Sequence, residues 1–392
     1  MALTFLYYHR LDFPSASGQT IQVLRDYRAL VEFGHAVHLF YRASAPLTAE
    51  ALTEALAAYG TPPHPRFQLH AIAPGRGGSA RLHAAAQGVL DATAGTAVVV
   101  TRTVDHALRA QRLLAPDLWR LHELHETALP HLVYAEQGRA LRAWWSRRRE
   151  ARVFRAVHGL IATVGSQCTL LERLFPAHAP VVVLPNGVAL AGFGGVAERP
   201  RDGAYHLRYA GQLSGWKGTD LMIEALRELP PHVVLDIAGG RPSERAATEA
   251  LLAATAAHYG VSARVVYHGF LPPVAVPRFL QGADALLLPL GDNVLARHFT
   301  SPMKLFEYAA SGVPMVVARQ PTTESLVQDG REALMFAPGS ATGLAQAVTR
   351  LMREPALAAA LATRARAWVA PFAYDERARR YVAFVQGLAR NP

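Results

Sequence analysis

A chain of 392 residues exceeds what one hydrophobic core sustains, so two domains are expected. Hydrophobic residues at 51% and charged residues at 18% describe a packed globular protein and exclude a disordered one. A single cysteine, Cys168, excludes an internal disulfide framework and an all-cysteine metal site and suits a reducing cytosol, while a net charge of +10 points towards anionic partners such as phosphates, nucleic acid or an acidic membrane face.

The opening residues, MALTFLYYHR, read as a first β-strand and not as a signal peptide, and no stretch approaches the roughly 20 apolar residues of a membrane span. A soluble, cytoplasmic protein is expected. Short apolar runs then alternate with amphipathic stretches. Leu3–Tyr8, Ala36–Tyr41, Phe67–Ile72, Ala97–Thr101, Trp119–Glu123, Leu160–Val164 and Val181–Leu184 read as strands. Helical patterns such as Gln19–Phe33 and Leu82–Leu90 separate most of them, and Gly34 stands where the first helix should stop. Periodicity fades over residues 185–203, where glycine and proline accumulate, and a linker is expected there. The alternation restarts with strands at Tyr205–Ala210, Val233–Ala238, Arg264–His268, Ala285–Leu288, Met315–Ala318 and Leu334–Phe336. Strands of this kind between helices are parallel and buried on both faces. The fold class expected is α/β, with two Rossmann-like doubly wound domains facing across a cleft: 1–186, 187–372, and a final amphipathic helix in 373–392. Ligands of such sheets sit outside the carboxyl ends of the strands.

Two segments of the first half carry further readings. GRGGSA, residues 75–80, approaches a dinucleotide loop but ends in Ala80 and follows the third strand, so a solvated loop is expected. RALRAWWSRRREARVFRAVHG puts Trp144 and Trp145 among many arginines on one helix. Such a helix either rests peripherally on anionic lipid, at the inner face of a membrane, or is solvated with its tryptophans packed inward. Nucleic-acid binding is not expected, since no aromatic-basic stripe or reading motif accompanies the charge.

The second half carries the sharpest signal. Of 40 lysines and arginines, two are lysine, Lys217 and Lys304; the other 38 are arginine, an excess that biased base composition explains by itself. Two positions that resist that bias are informative. In SPMKLFEYAASGVPMVVA, Ser301 suits an N-cap and Pro302 the first helical position, which leaves the amides of Met303 and Lys304 open to an anion. Glu307 lies three residues on, beside Lys304 on one face. In YAGQLSGWKGTDLMIEAL, Lys217 ends a glycine-containing turn between a strand and a helix. A compact ammonium on a flexible stem suits a phosphate that shifts during reaction. Both lysines are therefore expected to hold one diphosphate, with Glu307 accepting from a ribose diol.

At these residues the chain resembles the retaining GT-B glycosyltransferases, the large group 1 family of nucleotide-sugar-dependent enzymes. AGQLSGWKGTDLMIEAL and SPMKLFEYAASGVPMVVA are similar to two of its signature segments. PNGVALAGF, HGFLPP and GADALLLPL follow in family order, and PSASGQTIQVLRDYRALVEFGHAVHLF resembles its first glycine loop, helix and second strand. The resemblance implies that Glu307 binds ribose hydroxyls, that Lys217 meets the diphosphate, and that Ser301, Met303 and Lys304 close around it. It implies that Gly269, Phe270 and Leu271 border the base, that Gly18 lets backbone approach the sugar phosphate, and that His125 stands near the transferred sugar. It also implies a final helix that crosses back onto the first domain. Acceptor loops are expected at residues 75–80 and 125–140. Two positions depart from the family. Gln212 stands where arginine is frequent, with Arg297 a candidate to supply the charge, and Phe299, eight positions before Glu307, replaces a frequent glutamate.

The activity implied is hexosyl transfer, with retention, from a nucleoside diphosphate sugar to a saccharide or lipid-linked acceptor in polysaccharide or glycolipid synthesis. No Asp-x-Asp pair or His-Glu-x-x-His is evident, and a metal-independent site without a cofactor is expected. A nucleotide-sugar epimerase of the same fold and a non-catalytic nucleotide-sugar-binding subunit are the alternatives.

Overall fold

The computed structural model describes residues 2–115, 117–125, 129–195, 202–213 and 215–390. The first domain is a parallel sheet of β1 (Leu3–Leu11), β2 (Ala36–Arg42), β3 (Phe67–Ile72), β4 (Thr96–Thr101), β5 (Trp119–Leu124), β6 (Gly159–Ala162) and β7 (Val181–Val183). Its spatial order is β3-β2-β1-β4-β5-β6-β7. The second is a parallel sheet of β8 (Tyr205–Gly211), β9 (Val233–Gly239), β10 (Val265–Gly269), β11 (Ala285–Leu288), β12 (Met315–Ala318) and β13 (Leu334–Phe336), in the order β10-β9-β8-β11-β12-β13.

Burial on both faces explains the apolar runs. Along β1, Phe5 and Tyr7 enter one core cluster while Leu6 and Tyr8 enter the cluster on the opposite face. In each sheet the strand order reverses once, between β1 and β4 and between β8 and β11. Those two reversals open crevices at the carboxyl ends of the strands.

The linker region is a double crossing. Val188 N donates to Phe372 O at 3.0 Å, and Tyr374 N to Val188 O at 3.3 Å. Gly187 allows this approach, since a Cβ there would lie 2.5 Å from Cδ1 of the Tyr374 ring. The returning helix, Tyr374–Arg390, packs against the Gly18–Glu32 helix of the first domain. Ala378, Tyr381 and Val385 join that domain's core, the Tyr381 ring meeting Phe5 edge-on at 5.4 Å. Arg377 is buried with them; its Nε donates to Pro185 O at 3.0 Å and its Nη1 lies 3.4 Å from Asp26 Oδ2.

Two expectations need correction. Strand β6 stops at Ala162, not at Val164, because Thr163 N donates to Gln167 Oε1 at 2.7 Å and Val164 begins the Gly165–Leu174 helix as its cap. Nor do the tryptophans of the Ala140–Ala156 helix pack inward: Ser146, Glu150, Val153 and Phe154 form its buried face, and Trp144 and Trp145 are 47% and 56% exposed. GRGGSA is a loop only over residues 75–77; Gly78, Ser79 and Ala80 already belong to the Gly78–Asp91 helix, and the segment lines neither of the interdomain cavities described below.

The first sheet buries histidines at the ends of its strands and on the helix after β4. Burial is the main cause that holds His9 and His122 at about 3 and His38, His106 and His125 at about 4. Unfolded imidazole titrates near 6.5, so between about 6.5 and 4 the unfolded chain takes up protons that the folded chain refuses. Stability therefore falls with pH across that window. Asp26, raised to about 6 by burial, acts in the opposite sense, as do the raised Glu307 and His206, but the lowered histidines, which also include His35, His70, His158 and His298, outnumber them. Thermal unfolding followed from pH 7.5 to pH 5 should show a steadily falling midpoint; a flat profile would refute the buried-neutral assignment.

Candidate active site

The site is built at the end of β8. Lys217 closes a single 3-10 turn, Gly215–Lys217, and the helix Thr219–Ala225 follows. Gly218, with φ of +77°, lets that turn tuck beneath Pro289, whose carbonyl oxygen would lie 1.9 Å from a Cβ. Opposite stands the helix Met303–Ser311, ended by Gly312 in the left-handed conformation.

Its start differs from expectation. Pro302 is the cap, with φ −74° and ψ 112°, and Met303 the first helical residue. Ser301 is not the cap because its hydroxyl accepts from Asn186 N at 3.1 Å, while the Asn186 amide donates back to Ser301 O. Ser301 thus ties the interdomain crossover to the helix.

Lys304 runs from this helix over the backbone of β8. A Cβ on Gly211 would lie 1.8 Å from Lys304 Cε and 2.0 Å from Nζ, so glycine is the residue this crossing requires. The ammonium then stands 5.6 Å from the Tyr209 ring centroid.

Two adjoining cavities fill the cleft. One, of about 230 Å³, is lined by Gly18, Arg102 and His125 of the first domain and by Gln212, Lys217, Ser301, Met303 and Lys304 of the second. The other, of about 100 Å³, is lined by Phe270, Leu271 and Glu307 and shares Gly18, Gln212, Met303 and Lys304 with the first. The two lysines do border one space, with the carboxylate next door. Phe299 also lines the larger cavity, filling with a buried ring the place of a frequent carboxylate.

Two anticipated residues lie outside both spaces. Gly269 precedes Phe270 with φ of +74° and backs onto Arg245, whose Nη1 would meet a Cβ at 2.6 Å. Arg297 is engaged elsewhere, by Glu136 at 3.0 Å and Asp292 at 2.9 Å, and does not compensate for Gln212. The arginine that lines the cavity is Arg102, at the carboxyl end of β4, which donates to Gln22 Oε1 at 3.1 Å. Of the expected acceptor loops, residues 126–128 lie outside the described residues.

Electrostatics distinguishes the groups. Enclosure lowers the Lys304 ammonium and raises the Glu307 carboxyl, each partly offset by the other. Glu307 also faces Arg25 of the first domain, 3.7 Å away, a contact no sequence signal marked among 38 arginines. His125 is 3.4 Å from Glu123 Oε2 and held neutral, at about 4, by burial first and by Arg102. Among the described residues no three His, Cys, Asp or Glu side chains gather as a metal-ligand set.

Comparison with known proteins agrees with this geometry. The glycosyl transferases group 1 pattern matches residues 204–354. A glycogen synthase of Mycobacterium tuberculosis is 29% identical over 221 residues, 55% of this chain and 51% of that protein. A D-inositol 3-phosphate glycosyltransferase of Xylanimonas cellulosilytica is 27% identical over 310 residues, 71% of this chain and 70% of that protein. The chain spans about half the length of the glycogen synthase. Among solved structures, sucrose-phosphate synthase from Thermosynechococcus elongatus superposes with a TM-score of 0.80 at 19% identity, covering 100% of both chains. HepE of Anabaena, solved with UDP, gives 0.72 at 17% identity over 99% of this chain and 100% of its own. The fold is GT-B. Within a chain of GT-B fold, residues 204–354 form a glycosyl transferases group 1 domain.

A methyl group at residue 211 cannot coexist with Lys304 as placed. Gly211→Ala should weaken nucleotide binding at least tenfold, about 1.4 kcal/mol, in a titration with whichever of UDP, GDP or ADP binds the native protein. Unaltered affinity would show that the Lys304 crossing does not shape the site.

Proposed function

We propose that this protein transfers a hexosyl group, with retention of configuration, from a nucleoside diphosphate sugar to an acceptor hydroxyl in polysaccharide or glycolipid synthesis. The observation that carries this reading is that the chain's two lysines, one on a turn and one on a helix, line one cavity beside Glu307. HepE, a structural neighbour, was solved with UDP and with UDP-glucose.

Negative charge develops on the diphosphate as the bond from the sugar's anomeric carbon to phosphate oxygen breaks. Lys217, Lys304 and the amides at the start of the Met303–Ser311 helix meet that charge where it forms, so the reading needs no metal there. Glu307 accepts from the ribose hydroxyls, exchanging its contact with Arg25 for them. Phe270 and Leu271 border the base. Neutral His125 hydrogen-bonds the sugar, and Arg102 supplies from the first domain the charge that Gln212 lacks. The acceptor oxygen bonds to the anomeric carbon, and its proton passes to the departing phosphate.

An epimerase would work on C2 of the sugar with carboxylates. Among the described residues, Glu307 is the one carboxylate lining either cavity, which does not favour it. Lys304→Ala and Glu307→Ala should each weaken donor binding about tenfold or more, and Lys217→Ala should mainly slow turnover. Calorimetry and donor-hydrolysis rates separate these effects; wild-type affinity in both of the first two variants would defeat the assignment, and no hydrolysis by pure native protein would favour a non-catalytic subunit.

No described helix is long and apolar enough to cross a membrane. The lipid-linked acceptor and the peripheral contact expected from sequence are supported by the Ala140–Ala156 helix, which turns Leu141, Trp144 and Trp145 outwards, with Arg148 stacked on Trp144 at 3.9 Å. The protein should float with phosphatidylglycerol vesicles, and Trp144→Ala with Trp145→Ala should abolish flotation while leaving nucleotide binding unchanged. Absence of flotation by the native protein would remove the membrane contact.

A further inference from the structure

We propose that Glu123 is a positioning residue for sugar transfer: from behind His125 it keeps the ring's proton on Nε2, which leaves Nδ1 to accept a hydrogen bond from a hydroxyl of the donor's sugar. The inference rests on the transfer reading above; the pairing of the two side chains does not.

β5 brings both groups to the cleft. Glu123 lies near its carboxyl end and His125 directly follows the strand. Residues two apart along a strand face the same side, and Leu124, between them, enters the apolar cluster on the other face. His125 lines the larger cavity; Glu123 lines neither cavity and is 1% exposed. Whatever Glu123 does for a bound sugar it does through its neighbour.

An ionised carboxylate is costly to bury unless charges and hydrogen bonds compensate. Burial pushes the Glu123 carboxyl up, but His125, then Arg377 and Arg102, outweigh burial and hold it at about 2. Tyr27 donates its hydroxyl to Oε1 at 3.0 Å, and the Tyr381 hydroxyl lies 3.5 Å from that of Tyr27. Arg377 and Tyr381 both belong to the returning Tyr374–Arg390 helix. The end of the chain thus helps to keep a carboxylate ionised inside the first domain. Tyr27 alone does not require that charge, since the carbonyl of a glutamine would accept from it equally well.

The other oxygen gives the charge its use. Glu123 Oε2 and His125 Nε2 are both buried, face each other at 3.4 Å, and have no hydrogen bond elsewhere among the described residues. A neutral imidazole carries one N–H and one lone pair, while a carboxylate offers lone pairs alone. With the proton on Nε2 the two attract. With it on Nδ1, two lone pairs would oppose each other where no water screens them. The proton therefore belongs on Nε2. Nδ1 keeps its lone pair, and among the described residues nothing bonds to it. A sugar hydroxyl that donates to Nδ1 polarises the ring, and the polarised N–H then draws closer to Oε2. The pair as a whole carries one negative charge, which opposes the positive charge that grows on the sugar as its bond to phosphate breaks.

The first measurement is made on the native protein. With nitrogen-15-labelled histidine at pH 7, long-range proton–nitrogen correlation separates the two tautomers, and His125→Asn identifies the signal. A proton on Nε2 alone supports the proposal; a proton on Nδ1, or on both nitrogens, overturns it even where Glu123→Gln does not fold. The second is kinetic, with UDP-glucose, ADP-glucose or GDP-mannose, whichever the native protein hydrolyses. Glu123→Gln should mix the tautomers and lower kcat about tenfold or more while KM holds. Glu123→Asp, which keeps the charge, should recover part of that loss. In a His125→Asn background the same Glu123→Gln change should cost less than about twofold. A full loss in that background, a change in KM alone, or native kcat in Glu123→Gln overturns the proposal. Hydrolysis of none of the three donors, beside a tautomer that depends on Glu123, would sink the transfer reading and the catalytic role with it, and leave the pairing standing.

Discussion

Because Lys304 crosses the backbone of Gly211 with no room for a methyl group between them, the end of β8 and the start of the Met303–Ser311 helix hold one fixed relation. That relation decides where the ammonium points. It also removes the freedom that a lysine on a surface helix would have, so little rotamer entropy remains to be lost when an anion arrives. Gly218 does the same for the other lysine by letting the Lys217 turn sit under Pro289. Close backbone approach shapes the placement of both charges. The nearest carboxylate, Glu307, lies on the same helix face and is raised towards its protonated form by its enclosure.

A cleft enzyme needs its halves held together without being locked, and the contacts between these domains divide along that line. The Tyr374–Arg390 helix is a permanent brace: it carries apolar residues into the first domain's core and buries Arg377 against Asp26 and Pro185. The Arg25–Glu307 contact is of another kind. At 3.7 Å it is looser than a charge-assisted hydrogen bond, and it involves the carboxylate assigned to the donor's ribose. Arg297 with Glu136, 38% and 43% exposed, is a solvated pair of small energetic weight. The looser Arg25–Glu307 contact thus borders the cleft, where the Ser301–Asn186 bonds hold the crossover to the same wall. That is the distribution expected if the donor itself completes closure.

The legible parts of the sequence were those where one cause dominates. Burial on both sheet faces leaves apolar runs, so Phe67–Ile72, Ala285–Leu288, Met315–Ala318 and Leu334–Phe336 read as the strands they are. The lysines stood out because the chain otherwise answers every need for positive charge with arginine. That same habit hid Arg25 and Arg102: nothing local separates a cleft arginine from the rest. Ser301 was misread because a serine before a proline is a good cap, and only the fold shows that Asn186, 115 residues earlier, takes its hydroxyl. The end of β6 failed likewise, since Gln167 competes for the amide of Thr163.

The chemistry of the cleft is divided unequally between its walls. The second domain contributes two ammonium groups and a helix end to the larger cavity. The first domain presents a histidine that burial and Arg102 strip of its proton. A cationic imidazole there would repel the positive charge that develops on the sugar as its bond to phosphate breaks; a neutral one offers a hydrogen bond without that penalty. Arg102 is itself oriented by its bond to Gln22.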